Sequence, residues 1–216
     1  MTGNHYNKEN GRKNMRLHGY DYSRAGLYFL TIVVQNRLHL FGEIRRGGSA
    51  GSSQMVLNDA GNMVAKWYYE IENKFPDKRC HEMVVMPNHF HCIIENMEMD
   101  ETNRDGNDPG MDAHVRAPLR GRPGDERHPE NDNPQYGIHN KQYGATIGHV
   151  MDWFKTMTTN AYIRGVKTHN WRRFDGKLWQ RNYYDNIIRN DNAYQKISEY
   201  IINNPTKWND DKFNTE

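Results

Sequence analysis

His89, Phe90 and His91 set two imidazoles two residues apart. In a β-strand, side chains alternate across the sheet. This spacing therefore puts both rings on one face and sends Phe90, Cys92 and Ile94 to the other. Two neighbouring imidazoles can chelate one divalent cation, but they do not fill its coordination sphere, and no set of four Cys/His ligands stands at structural-zinc spacing. An incomplete site of this kind suits Mg²⁺ or Mn²⁺, ions that keep positions for water and a phosphate oxygen; manganese takes imidazole the more readily. The competing reading is two unrelated polar residues on an exposed face of a histidine-rich chain. A second pair, Tyr200 and Asn204, stands four residues apart near the C-terminus. On a helix these lie one turn apart, together on one flank of an apolar stripe made by Tyr194, Ile197 and Ile201. The amide oxygen could complete the metal site and the phenol could act as a nucleophile. Otherwise the tyrosine packs at a helix margin and the asparagine ends the helix before Pro205.

These groups need elements to hold them. Residues 28–35, YFLTIVVQ, are β-branched and aromatic and predict a strand. Residues 57–75 predict a helix, with Asn58 or Asp59 as cap, Pro76 closing it, and Val64, Trp67, Tyr68 and Ile71 on one face. Strands follow at 79–86 and 89–95, joined by Pro87-Asn88 as an antiparallel hairpin. Residues 146–163 return to helical spacing, with Ile147, Val150, Phe154, Met157 and Ala161 on one side. A fourth strand is expected within 178–188, and a last helix over 191–203 with Asp191 as cap. The order β–α–β–β–α–β–α gives an α+β, ferredoxin-like split βαβ fold. An antiparallel four-stranded sheet carries helices on one face, and a C-terminal helix bears the tyrosine. The second face is expected to be free for a ligand.

Composition divides the chain unevenly. Residues 1–46 hold eight Lys/Arg against three Asp/Glu, residues 141–208 hold eleven against five, and residues 97–140 hold five against ten. Removing that block, net −5, from the total of +2 leaves a body of +7, a sign that suits a polyanion. Residues 97–140 are rich in Asn, Asp, Gly, Pro and Arg and cannot offset their ordering entropy by burial, so they are expected to be a loosely ordered acidic insert. It interrupts a single domain at 21–208, flanked by a basic flexible arm at 1–20 and a polar tail at 209–216; residues 47–54 are expected to be a flexible linker or turn. No transmembrane or signal segment is apparent, and Cys80 and Cys92 make no disulfide framework, so a cytoplasmic protein without a membrane partner is expected. Around 171–181, Trp171, Arg172, Arg173, Lys177, Trp179 and Arg181 interleave aromatics with cations. Such a surface can stack bases and track phosphates, or can equally be core tryptophans beside solvated arginines.

Three segments in order, VVMPNHFHCIIE (84–95), LWQRNYYDNIIRN (178–190) and SEYIINNPTKW (198–208), resemble the single-tyrosine HUH transposases, and most closely the REP-associated tyrosine transposase branch. The resemblance runs from about residue 28 to 208, skipping the insert, which is not part of the usual pattern. It implies that His89 and His91 bind a divalent metal, that Tyr200 is the catalytic nucleophile, and that Asn204 completes the metal site. It further implies a DNA strand transferase that cleaves and rejoins single-stranded or hairpin DNA through a 5′-phosphotyrosine link. Tyr183, Tyr184 and Tyr194 lack the Asn-Pro context and are lesser candidates. Two alternatives stay open: a non-catalytic metal- and nucleic-acid-binding regulator, and a metal-dependent hydrolase using water. Monomer or homodimer is left open.

Overall fold

The computed structural model describes residues 20–47, 53–98 and 141–214. The arm before Tyr20, the centre of the 47–54 stretch and almost all of the 97–140 insert lie outside the described residues.

Among the described residues, six strands and three α-helices run in the order β1 (Gly26–Val33), β2 (Gly42–Arg46), β3 (Ser53–Leu57), α1 (Asp59–Lys74), β4 (Lys78–Val85), β5 (His89–Asn96), α2 (Ile147–Thr168), β6 (Tyr184–Ile188) and α3 (Asp191–Asn203). Four strands form one antiparallel sheet in the order β4-β5-β1-β6. The ferredoxin-like α+β expectation is met. One element was not foreseen: β2 and β3 pair as a separate two-stranded hairpin, so residues 53 and 54 belong to a strand, not to a linker. The fourth strand is also shorter than 178–188. Only Tyr184–Ile188 pairs along β1, while Trp179 makes an isolated bridge to Val34.

α1 and α2 cover one face of the sheet. Tyr28, Leu30 and Ile32 of β1 and Phe90, Cys92 and Ile94 of β5 meet Val64, Tyr68, Ile71, Val150 and Phe154 in the main core. Both helices start at a side-chain cap: Asn58 accepts from the Gly61 N–H and Thr146 from the His149 N–H, satisfying donors that a first turn leaves unpaired. α2 runs on to Thr168, past the expected 163. Its Gly165 is required by packing, because a Cβ there would sit 2.2 Å from the Trp171 ring.

The second face is not free. α3 lies across it, and Ile201, fully buried, meets Ile93 and Ile188 with Phe29, Leu27, Val84 and Ile197 around them. Tyr194 donates to the Glu82 carboxylate at 2.9–3.0 Å and ties α3 to the edge strand β4. The cap of α3 is Asn190, which accepts from the Ala193 N–H, and not Asp191. Beyond α3, a 3₁₀ segment (Asn204–Asp210) and a turn continue over the same face. The packed domain therefore extends past 208, and Phe213, expected in a polar tail, is 3% exposed. Among the described residues no helix is long and apolar enough to cross a membrane.

Candidate metal and nucleophile site

β1 and β5 pair so that Thr31 lies opposite His91 and Val33 opposite His89. Both imidazoles face α3, as the alternation requires, and the rings are 4.6 Å apart. They are not exposed, however: His89 is 0% and His91 1% accessible, because α3 and the C-terminal turn roof them. The Phe213 ring lies 4.8 Å from His89, and Trp208 stacks on the same imidazole at 6.0 Å.

Hydrogen bonds fix which nitrogen of His89 is available. The Asn88 Nδ2 donates to the Phe213 carbonyl at 2.8 Å and to the Arg37 carbonyl at 3.2 Å, which orients its amide. Its Oδ1 therefore faces His89 Nδ1, at 2.9 Å, and can only accept. His89 thus carries its proton on Nδ1 and presents a bare lone pair on Nε2. That Nε2 is buried and has no hydrogen-bond partner. His91 Nδ1 pairs with Thr31 Oγ1 at 2.7 Å, which turns its Nε2 the same way. For His89, an outer partner sets the tautomer and leaves the other nitrogen open, which is how metal-ligating histidines are held; for His91, the Thr31 hydroxyl orients the ring and Nε2 meets the Tyr200 hydroxyl.

The C-terminal elements bring oxygen to these nitrogens. Asn204 is 1% exposed, its side chain acts on both His89 and Tyr200, and its Oδ1 has no hydrogen-bond partner. The Asp211 Oδ2 is 3.8 Å from His89 Nε2, and ligand atoms of His89, His91 and Asp211 all lie within 4.8 Å of one another. The donor set of two imidazole nitrogens, a carboxylate and an amide oxygen fits a divalent cation of the Mn²⁺ or Mg²⁺ kind, and two orphaned buried atoms aimed into one space support that fit. Asp211 was missed in the sequence, where one acid in a polar tail carries no periodic signal. The Tyr200 hydroxyl stands 3.4 Å from His91 Nε2, its ring edge-on to Phe29 at 6.0 Å, and the residue is 37% exposed.

Burial and then the neighbouring imidazole press the His89 pKa down to about 2; burial and then Lys212 bring His91 to about 3. Both are held neutral, the form that ligates metal. Burial, then the Asp211 carboxylate, raise the Tyr200 pKa above the usual phenol value, against a smaller lowering by Asn204. Among the other tyrosines, Tyr183 is 5% exposed and Tyr194 is committed to Glu82. Tyr184, opposite Thr31, shares the histidine face and is exposed.

The stretch at 171–181 is divided. Arg172, Arg173, Lys177 and Arg181 are exposed. Trp179 is 4% exposed and donates its Nε1–H to Thr158 at 2.9 Å, and Trp171 packs on α2 against Tyr162. Trp179 belongs to the core and cannot stack bases; Trp171 is half-buried. The reason is the bridge to Val34, which pulls residue 179 beneath the helix layer.

No family model matches the chain. Among solved structures, a REP-associated tyrosine transposase bound to a REP hairpin is similar at 17% identity and a TM-score of 0.47, covering 89% of this chain and 74% of that one. A candidate transposase from Deinococcus radiodurans is similar at 13% identity and a TM-score of 0.38, covering 87% and 95%. At these scores neither likeness bears on activity. In sequence, an uncharacterized protein of Haemophilus influenzae is 35% identical over 204 residues, 93% of this chain and 92% of that protein. Identity at that level along nearly the whole of both chains places this protein in one family with the uncharacterized Haemophilus influenzae protein.

Proposed function

We propose that the chain is a metal-dependent DNA strand transferase that uses Tyr200 as nucleophile on single-stranded or hairpin DNA. The observation that carries this reading is the meeting of a phenol with two neutral histidines: the Tyr200 hydroxyl is 3.4 Å from His91 Nε2, and the buried His89 Nε2 and Asn204 Oδ1 are left without a hydrogen-bond partner. His89, His91, Asn204 and Asp211 would hold the cation, which when bound supplies Lewis-acid polarisation of a phosphate oxygen. Tyr200 is held protonated at rest by burial and by Asp211. Its oxygen bonds to phosphorus as the phenol proton passes to solvent, and the bond from phosphorus to the 3′-oxygen breaks, that oxygen taking up a proton from solvent. The product is a 5′-phosphotyrosine link and a free 3′-hydroxyl. Because the link keeps the phosphodiester's reactivity, an incoming 3′-hydroxyl can reverse the step and join a new strand without ATP.

A second reading, a non-catalytic regulator that binds metal and nucleic acid, draws on the roof over the histidines made by Phe213 and Trp208. The two separate on one experiment: incubation of the full chain with single-stranded and hairpin DNA and Mn²⁺, read on a denaturing gel. A protein–DNA adduct that survives boiling in detergent supports the transferase. DNA binding without adduct or nicking supports the regulator, and nicking without adduct supports a water-using hydrolase.

A further inference from the structure

A cleft of about 340 Å³ opens on the far side of the sheet from the histidines, between α2 and residues 176–181. One wall is a single turn of α2 carrying Thr156, Thr159 and Asn160, which share a face at i, i+3 and i+4. The opposite rim carries Lys177 and Arg181, both exposed. The floor is rigid. Leu178 and Trp179 are buried, the Gln35 N–H donates to the Leu178 carbonyl at 2.8 Å, and the Gln180 N–H donates to the Val33 carbonyl at 2.8 Å. Lys155 is already engaged, donating to the Gln180 and Arg181 carbonyls at 3.1 and 3.2 Å. The Thr156 hydroxyl is engaged too, donating to the Asp152 carbonyl of its own helix. Neither the Thr159 hydroxyl nor the Asn160 amide has a hydrogen-bond partner among the described residues, and neither Lys177 nor Arg181 has an acidic partner among them.

We infer that this cleft is a nucleotide-reading subsite, which takes one unpaired nucleotide of the DNA strand that is cut at Tyr200. The volume is at the low end for a small-ligand pocket, enough for one nucleotide and too small for a duplex groove. Lys177 and Arg181 supply two cations to the flanking phosphates. Asn160 offers a donor and an acceptor together, and Thr159 a hydroxyl, the groups that read a base edge. The cleft has no exposed aromatic ring, since its one aromatic residue, Trp179, is 4% exposed. It therefore recognises by hydrogen bonds to an edge, which discriminate bases, and not by stacking, which does not. Position agrees with chemistry. Gln180 is bonded to Val33, and Val33 lies opposite His89 in the sheet, so cleft and histidines occupy the same end of β1. Two strand spacings, roughly 10 Å, separate them laterally. A strand passing round the end of β1 would reach both within a few nucleotides.

This inference rests on the strand-transferase reading and is tested apart from it. Hairpins with single-stranded extensions, each carrying one abasic nucleotide in turn, are titrated by fluorescence anisotropy against the full chain, Asn160→Ala with Thr159→Ala, and Lys177→Gln with Arg181→Gln. One abasic position should weaken wild-type binding about tenfold and leave the Asn160/Thr159 variant unaffected, since its reading groups are already gone. The Lys177/Arg181 variant should lose affinity for extended hairpins, with its log–log salt slope reduced by about 1.4 for two single-strand phosphate contacts. Blunt hairpins should bind all three proteins alike. Adduct formation with no abasic position coupled to Asn160 and Thr159 would overturn the subsite and leave the transferase reading standing. A wild type that binds no hairpin or single-stranded DNA would overturn both.

Discussion

Acidification should destabilise the metal-free protein through the histidine pair. In the unfolded chain each imidazole titrates near its ordinary 6.5, whereas in the folded chain burial presses His89 to about 2 and His91 to about 3. Below pH 6.5 the unfolded state therefore binds up to two protons that the folded state refuses, and stability falls as pH falls, through to the folded values near 2–3. Above pH 6.5 both states leave the rings neutral and the contribution of the pair is fully present. Between pH 6.5 and 5.0 each group contributes about 1.36 kcal/mol per pH unit, roughly 2 kcal/mol, so the pair costs on the order of 4 kcal/mol at pH 5. For a domain of this size that is a fall in Tm of about 8–16 °C. The measurement is urea and thermal unfolding in EDTA at pH 7.5 and pH 5.0, for wild type and for His89→Gln with His91→Gln. The other nine histidines are common to both proteins and cancel in the comparison. Wild type should lose more stability than the variant by about that amount. Equal losses would show that the two imidazoles are solvated in the folded chain and that the roof of Phe213 and Trp208 is not closed.

Replacing residues 99–140 with a short Gly/Ser linker should leave the cooperative unfolding transition nearly unchanged by calorimetry. The Met97 N–H is tied to the Asp77 carbonyl and the Gln142 N–H to the Lys74 carbonyl, so both ends of the excursion are pinned to the end of α1 and the turn after it. Mn²⁺ binding by titration calorimetry should be abolished in the His89→Ala/His91→Ala protein and weakened about 10–100-fold by Asn88→Ala, which removes the partner that sets the His89 tautomer. Equal affinity in all three would move the cation elsewhere. DNA affinity should fall steeply with salt, each single-strand phosphate contact adding about −0.7 to the log–log slope; a flat response would exclude the exposed cations at 172–181 as a phosphate track.

Much of the architecture was legible because periodicity is a local signal. The faces of α1 and α2, the Pro87-Asn88 turn and the strand bearing His89 and His91 follow from alternation and capping alone. The second face of the sheet was misjudged, although a clue was present. Residues 28–34, YFLTIVV, are almost continuously apolar, and Phe29, Ile93 and Ile188 point away from α1 and α2. A strand apolar on both sides needs cover on both sides, and α3 provides it. The β2–β3 hairpin was hidden by its Gly/Ser-rich connection and by short strands with charges at Glu43, Arg45 and Arg46. Asp211 and Phe213 gave no pattern at all, since a turn that packs through two isolated side chains has no period. Asn88 was read only as a turn residue, yet its amide also orients His89 and anchors the C-terminal turn, a role visible only once the two ends of the chain are brought together.

The Tyr200 hydroxyl is the proposed nucleophile. Tyr200→Phe keeps the ring against Phe29 and His91 and removes only the oxygen that stands 3.4 Å from His91 Nε2. Wild type incubated with hairpin DNA and Mn²⁺ should give a slow-migrating species that resists boiling in detergent and vanishes with protease. Tyr200→Phe should give none, with Mn²⁺ and DNA affinities and Tm close to wild type. An adduct that persists in Tyr200→Phe would refute that role and pass it to Tyr184, an exposed phenol on the same histidine face.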